Sequence, residues 1–206
     1  MIKVIIGCLI ATVFWFLMFF PATAQNLNFW AVMIIATSTL TLYSLYFQRK
    51  NLKELFQFKI KFIFYGIFSA FILYLIFYFG NFISQLLFDF ANHQISNIYK
   101  TKDQADNLFI GLALFLLIGP AEEIFWRGFV QNSLEQKYGA FPAYIIATLI
   151  YGFVHIWAFN LILLLAALIC GFFWGFIYMK TKSLLPVIIS HSLWDLFIFI
   201  IIPINN

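Results

Sequence analysis

The sequence has few charged residues, little cysteine and none of the common loops of soluble enzymes. Only 10% of its 206 residues are charged, against about 25% in a soluble globular domain. The two cysteines, Cys8 and Cys170, lie inside apolar runs, so they indicate neither a disulfide framework nor a cysteine-based metal site. The chain contains no G-x-G-x-x-G, Walker A, H-E-x-x-H or G-x-S-x-G motif.

Apolar residues are correspondingly abundant. They make up 64% of the chain, against about 45–50% in soluble domains, and the mean hydropathy is +0.96. A soluble domain of this size cannot bury so much apolar surface, which excludes a cytosolic globular enzyme, a disordered chain, a fibrous protein and a nucleic-acid binder. The apolar runs are continuous and do not alternate, which also excludes a β-barrel. The composition therefore predicts an all-α, polytopic helical membrane protein.

About seven segments are long and apolar enough to be transmembrane helices, each needing about 20 mostly apolar residues. Together they form a single predicted membrane domain over residues 1–206. The predicted spans are Ile2–Phe20, Asn28–Phe47, Phe62–Phe82, Leu108–Val130, Phe141–Trp157, Asn160–Met179 and Leu184–Ile202.

The first span has a second interpretation. Lys3, the apolar stretch and the small residues that follow Pro21 also fit a signal peptide that is cleaved after Ala24. Cleavage would leave six spans. The apolar stretch is longer than the usual 7–15 residues of such a signal, so we favour a retained helix.

The distribution of Lys and Arg predicts the orientation of the spans. If the link between the second and third spans is cytoplasmic, nine basic residues lie inside and two lie outside. The inside residues are Lys3, Arg49, Lys50, Lys53, Lys59, Lys61, Lys137, Lys180 and Lys182, and the outside residues are Lys100 and Lys102. The long hydrophilic link Asp89–Asn107 would then face outward.

The basic link Gln48–Lys61 also has an apolar helical face, formed by Leu52, Leu55 and Phe56. Such a pattern is typical of a short helix lying on an anionic membrane surface. A solvated basic loop explains the same residues equally well, so both interpretations stay open.

Ionisable residues inside transmembrane segments are costly, about 2.5–3.5 kcal/mol each at mid-membrane on insertion scales, and mark functional sites. This chain places six such residues on three spans of its C-terminal half. They are Glu122, Glu123, Arg127, His155, His191 and Asp195.

Helical spacing predicts which of these residues lie on the same side of a helix. Glu123 and Arg127 are four residues apart and can pair, whereas Glu122 points about 100° away. His191 and Asp195 also share a face, as do Tyr151 and His155 on the fifth span. Glu122, His155, His191 and Asp195 can thus meet at one buried point.

The residues around Glu122 also predict an irregular helix. The preceding Gly119-Pro120 pair is expected to kink or restart the fourth span. A restart at Pro120 would place Glu122 and Glu123 in a first helical turn, where the dipole favours carboxylates.

Two chemistries fit this residue set. A carboxylate beside a neutral imidazole can deprotonate a water, while a second histidine stabilises an oxyanion. That suffices to hydrolyse a peptide bond without serine or cysteine. Glu122, His155, His191 and Asp195 are equally adequate ligands for a catalytic zinc. The residue types alone do not decide between them.

Three motifs resemble those of a known family. Residues 122–128, EEIFWRG, look like its EExxxR motif; residues 151–155, YGFVH, are similar to its FxxxH motif; residues 191–195, HSLWD, resemble its HxxxN/D motif. The family is the CAAX-protease and bacteriocin-processing (CPBP, or Abi) group of type II CAAX prenyl endopeptidases. The match covers approximately Asp106–Ile202, so residues 106–202 are predicted to be the catalytic core and residues 1–105 the N-terminal spans.

The resemblance implies an intramembrane endopeptidase that needs no cofactor. Glu122 would activate water with His155 as its partner, and His191 and Asp195 would stabilise the oxyanion. Glu123 and Arg127 would brace the site. A zinc-dependent version remains the alternative, although the chain has no H-E-x-x-H helix.

Two positions depart from the family pattern. Tyr151 stands where the family usually has Phe, which keeps an aromatic ring and adds a hydroxyl. Asp195 replaces the commoner Asn, and an ionised Asp would repel an oxyanion. Asp195 must therefore be protonated, orient His191, or bind a metal.

Two other functions remain as alternatives to the protease. They are a non-catalytic immunity or scaffold protein and an ion-coupled transporter.

We expect the partners to be the lipid bilayer and a peptide or membrane-protein substrate, with no nucleic acid. A short, compact chain favours the bacterial branch, hence a plasma membrane, with the site toward its cytoplasmic side. Prenylated substrates are less favoured than bacteriocin or signal-peptide precursors.

Overall fold

The computed structural model describes residues 1–49 and 51–204, and in these ranges the chain is all-helical, as predicted. Among the described residues, seven helices are long and apolar enough to cross a membrane, which agrees with the predicted number of spans. In chain order they are Ile2–Phe19, Phe29–Gln48, Ile60–Leu87, Asn107–Tyr138, Ala140–Ala158, Leu161–Thr181 and Leu184–Ile201. We refer to them as the first to seventh spans.

The ends of successive spans alternate between two ends of the bundle. At one end, which we call the basic end, the Tyr43 hydroxyl donates to the backbone oxygen of Lys3, and the Ser183 hydroxyl donates to that of Gln57. The Lys-rich links before the third and seventh spans lie here. Lys50, one of the predicted inside residues, lies outside the described residues.

The link between the third and fourth spans covers the opposite end, which we call the capped end. It contains a helix at Ala91–Tyr99 and a 3-10 turn at Lys100–Gln104. The Tyr99 hydroxyl donates to the backbone oxygen of Ile198 over 2.8 Å. Burial raises the pKa of Tyr99 to about 12, so the phenol remains a donor at neutral pH. This link thus ties the end of the seventh span in place.

The helix predicted along Gln48–Lys61 is much shorter in the structure. Only Leu52–Leu55 is helical, a single turn, and Leu55 is buried while Phe56 and Phe58 are exposed. One turn offers little continuous apolar face. Whether this link lies on the membrane surface or is a solvated basic loop stays a prediction.

The fourth span does not restart at Pro120, which corrects that prediction. The short α-helical stretch Gly119–Glu123 lies between two π-helical stretches, Leu114–Ile118 and Ile124–Gln131, and the backbone stays helical throughout. Wider π turns accommodate a proline, which has no N–H to donate. Glu123 and its neighbour Glu122 therefore lie in mid-helix, away from any helix N-terminus.

The fourth span is also longer than predicted, because it continues to Tyr138 instead of ending at Val130. Glu122 has 15 residues before it and 16 after it in this helix (122 − 107 and 138 − 122). Glu122 lies halfway along it.

Small residues let the spans approach closely, as is common in membrane bundles. Gly171 and Gly175 of the sixth span lie against Thr148 and Tyr144 of the fifth span. Gly66 of the third span lies against the seventh span, and a Cβ built there would come 2.6 Å from the Ile189 Cβ.

We predict that Gly66→Ala lowers the stability of the protein, because the added methyl would force the third and seventh spans apart. Overpacking of this kind costs about 1–3 kcal/mol. Gly80→Ala in the same helix is the matched control, since a Cβ there has no neighbour within 4 Å. Thermal unfolding in detergent measures both variants, and an equal loss in the two would contradict this view of the interface.

Candidate active site

The six polar residues predicted to lie in the spans are all buried in the bundle. Glu123 is fully buried, and the other five are between 2% and 8% exposed. The fourth span contributes both glutamates and the arginine, the fifth span contributes His155, and the seventh contributes His191 and Asp195. Charged groups at such depth need partners.

Glu123 and Arg127 form the predicted ion pair, with 2.8 Å between Oε1 and Nη1. The other guanidinium nitrogen lies 3.4 Å from the backbone oxygens of Cys170 and Gly171 on the sixth span. The guanidinium also lies 4.8 Å from the ring centroid of Tyr151. Arg127 therefore joins the fourth span to the fifth and sixth.

His191 is held between two carboxyl groups. Its Nδ1 lies 2.7 Å from Oε1 of Glu123, and its Nε2 lies 3.4 Å from Oδ2 of Asp195. The imidazole stacks on Trp174 at 3.7 Å between ring centroids. The sequence predicted that His191 and Asp195 share a face, and the structure agrees. It did not predict the bond to Glu123, because helical spacing carries no information about contacts between distant spans.

Glu122 differs from its neighbour in forming no ion pair among the described residues, whereas Oε1 of Glu123 pairs with Arg127 and His191. Oε2 of each glutamate is buried and has no hydrogen-bond partner among the described residues. The Tyr151 side chain adjoins this carboxyl group. Because a buried carboxylate oxygen without a partner is costly, this position favours a bound water or a substrate donor.

Both ring nitrogens of His155 are engaged. Its Nδ1 lies 2.9 Å from the backbone oxygen of Tyr151, one turn earlier, and the indole Nε1 of Trp15 lies 3.0 Å from its Nε2. The shared face of Tyr151 and His155 is thus confirmed. Trp15 belongs to the first span. Nothing in the sequence marks it as a partner of His155, since a lone tryptophan in an apolar run looks like any other lipid-facing or packed residue.

The structure therefore arranges the polar residues as two groups. One is the network of Glu123, Arg127, His191 and Asp195, and the other is the pair of His155 and Trp15. In the described residues no hydrogen bond joins His155 to Glu122. Tyr151 lies between the two groups, because it adjoins Glu122 and its ring centroid is 5.4 Å from that of His155.

The two groups lie at a similar distance from the basic end. Glu122 is 17 residues before Gly139, the turn that joins the fourth and fifth spans, and His155 is 16 residues after it (139 − 122 and 155 − 139). The location of the site toward the cytoplasmic side of the membrane stays a prediction.

The arrangement fits a catalytic zinc poorly. The described residues contain no group of three His, Cys, Asp or Glu side chains placed to hold one metal ion. His155 has no free ring nitrogen, and each ring nitrogen of His191 faces a carboxyl group. The ligand set of the zinc alternative does not form in this conformation.

Comparison with protein families gives a match in the C-terminal part of the chain. Residues 104–197 match the model of the family described as type II CAAX prenyl endopeptidase Rce1-like. The matched region contains all three motifs and leaves out the first three spans, so it confirms the family resemblance that the motifs indicate. No curated protein and no solved structure shows significant similarity to the chain. The chain is thus an integral, multi-pass membrane protein whose matched family implies a CAAX-type intramembrane protease.

We predict that Arg127→Met strongly destabilises the protein, because it leaves the fully buried Glu123 without its cation. Breaking a buried ion pair by removing one partner costs about 3–5 kcal/mol. Lys182→Met is the matched control, since Lys182 pairs with Glu135 in a partly exposed position, where such pairs contribute about 0–1 kcal/mol. Chemical unfolding in detergent measures the difference. Similar losses in both variants would mean that Arg127 does not support Glu123.

Proposed function

We propose that the protein is a glutamate-dependent intramembrane endopeptidase that cleaves a peptide bond with a water activated by Glu122. One observation carries this proposal. Of two adjacent buried glutamates, Glu123 is held by Arg127 and His191, whereas Glu122 forms no ion pair among the described residues. The held carboxylate suits a supporting role, and the free one suits a general base.

The proposed reaction begins with a proton transfer from water to the Glu122 carboxylate. The hydroxide that forms attacks the carbonyl carbon of the scissile peptide bond, whose oxygen becomes an oxyanion. Glu122 then returns the proton to the amide nitrogen as the carbon–nitrogen bond breaks. The products are a carboxylic acid and an amine. His155 assists by accepting a hydrogen bond from the water at Nε2.

His191 is proposed to stabilise the oxyanion, and its contacts set the conditions for this role. Nδ1 must donate to Glu123, because an ionised carboxylate only accepts. Nε2 can therefore donate to an oxyanion only if the ring is doubly protonated. The contact from Nε2 to Asp195 is long, at 3.4 Å, so it is a weak hydrogen bond that a substrate oxygen would replace.

The proposed substrate is a membrane-associated peptide or protein that enters from the bilayer, since Glu122 lies at mid-span. Bacteriocin or signal-peptide precursors are preferred to prenylated proteins, and the proposed location is a bacterial plasma membrane with the basic end in the cytoplasm. No cofactor is proposed. The roles of Glu123, Arg127 and Tyr151 are to brace and orient the site.

We predict that Glu122→Gln abolishes peptide hydrolysis, because an amide cannot take a proton from water. A loss of about 10²–10⁴-fold is expected for removal of a general base. Purified protein in liposomes would be given a fluorogenic peptide library with and without a metal chelator. The matched control is Glu135→Gln, which changes a glutamate near the basic end, away from the site.

Each other outcome identifies a rival function. Loss of activity in chelator with recovery on adding zinc would favour the metal-dependent version. Identical behaviour of wild type and Glu122→Gln, together with normal function of the variant in cells, would favour the non-catalytic scaffold. Ion flux that depends on Glu122 without peptide cleavage would favour the transporter.

We predict that Asp195→Asn retains hydrolysis, whereas Asp195→Ala loses it about 10-fold or more. Asn keeps an oxygen that can accept from Nε2 of His191 and adds an N–H that can bind the oxyanion, while removing a negative charge beside it. Initial rates on the best library peptide measure both variants. Equal loss in both variants would show that the negative charge itself is required.

A further inference from the structure

Trp15 of the first span donates a hydrogen bond to Nε2 of His155, the nitrogen that the proposed reaction needs. Its indole nitrogen lies 3.0 Å from Nε2 of His155. The first span lies outside the matched family region, residues 104–197, so this contact belongs to a part of the chain that the motifs do not describe.

The two partners of His155 determine its tautomer. The backbone oxygen of Tyr151 can only accept a hydrogen bond, so Nδ1 must carry a hydrogen. The indole N–H of Trp15 can only donate, so Nε2 must be the acceptor. A neutral imidazole has one such acceptor position. While Trp15 fills it, His155 cannot accept a hydrogen bond from a water at the same nitrogen.

The Trp15 ring is held by other rings instead of by a continuous hydrogen-bond network. It is 1% exposed and lies edge-to-face against His155 and Trp126, with 5.9 Å and 6.1 Å between the centroids. An open cavity of about 300 Å³ is lined by Thr12, one turn before Trp15 in the first span, and by Val154, which precedes His155. The first span therefore borders open space about one turn from the contact.

We propose that Trp15 is a positioning residue that gates His155. It holds the imidazole as the Nδ1-protonated tautomer and withholds Nε2 until an entering substrate displaces the indole and admits the water. The state described is then the closed state of the site. This inference rests on the proposed function, because it assigns His155 a role in activating water.

The test compares Trp15→Phe, which keeps a ring and removes the N–H, with wild type. Trp30→Phe is the matched control, because Trp30 is equally buried in the next span and its indole donates to Thr101 at the capped end. Trp15→Met provides a second variant without a donor, should the Phe variant fold poorly, since Met adapts to irregular gaps.

Two measurements are made on each protein in detergent. The first is the rate at which diethyl pyrocarbonate modifies His155, followed by mass spectrometry, with the exposed His93 as an internal reference. The second is the rate of peptide hydrolysis. We expect Trp15→Phe to raise the modification of His155 and kcat/KM about fivefold, in keeping with the loss of one ordinary hydrogen bond. Trp30→Phe should change neither.

The outcomes separate this inference from the proposed function. Unchanged modification of His155 in both Trp15 variants would overturn the gate, whatever the hydrolysis result. Faster modification with lower kcat would also overturn it, because Trp15 would then assist the reaction instead of restraining it. Faster modification in a protein that cleaves no peptide would uphold the control of His155 by Trp15 and count against the protease.

Discussion

The Glu123 carboxylate is the group on which the other polar contacts of the bundle depend. One oxygen of this fully buried side chain accepts from both Arg127 and Nδ1 of His191. In a medium of low dielectric constant, two donors on one carboxylate stabilise it strongly, and each donor would be costly to bury alone. This shared acceptor joins the fourth and seventh spans, and Arg127 extends the connection to the sixth. It therefore fixes the height and rotation of three helices relative to one another.

Fixing these helices gives the neighbouring glutamate a different environment. Glu122 is rotated about 100° from Glu123 on the same helix, so it cannot reach the two donors. Its carboxyl group adjoins Tyr151 instead and forms no ion pair among the described residues. The π-helical turns on both sides of Glu122 and Glu123 contribute to this division, since they let the helix pass Pro120 without a break. Adjacent residues of one type thus acquire a supporting role and a reactive role.

Contacts between residues one helix turn apart were predictable from the sequence, because helical spacing alone places such residues together. The pairs Glu123–Arg127 and His191–Asp195 and the seven spans follow from periodicity and hydropathy. The bond between Glu123 and His191 joins residues 68 positions apart, and the bond between Trp15 and His155 joins residues 140 apart. Contacts over such separations depend on how the spans pack, which a single sequence does not encode in any local pattern.

The sequence by itself determined the class of protein, the number of spans and the identity of the polar residues. It could do so because burying charge in a bilayer is costly, which makes each such residue conspicuous. Only the tertiary structure decided the partners of those residues: which glutamate is held, which is free, and that the first span reaches His155. It also decided that the fourth span continues through Pro120, because the energy of a proline in a helix depends on whether the surrounding packing accepts a wider turn.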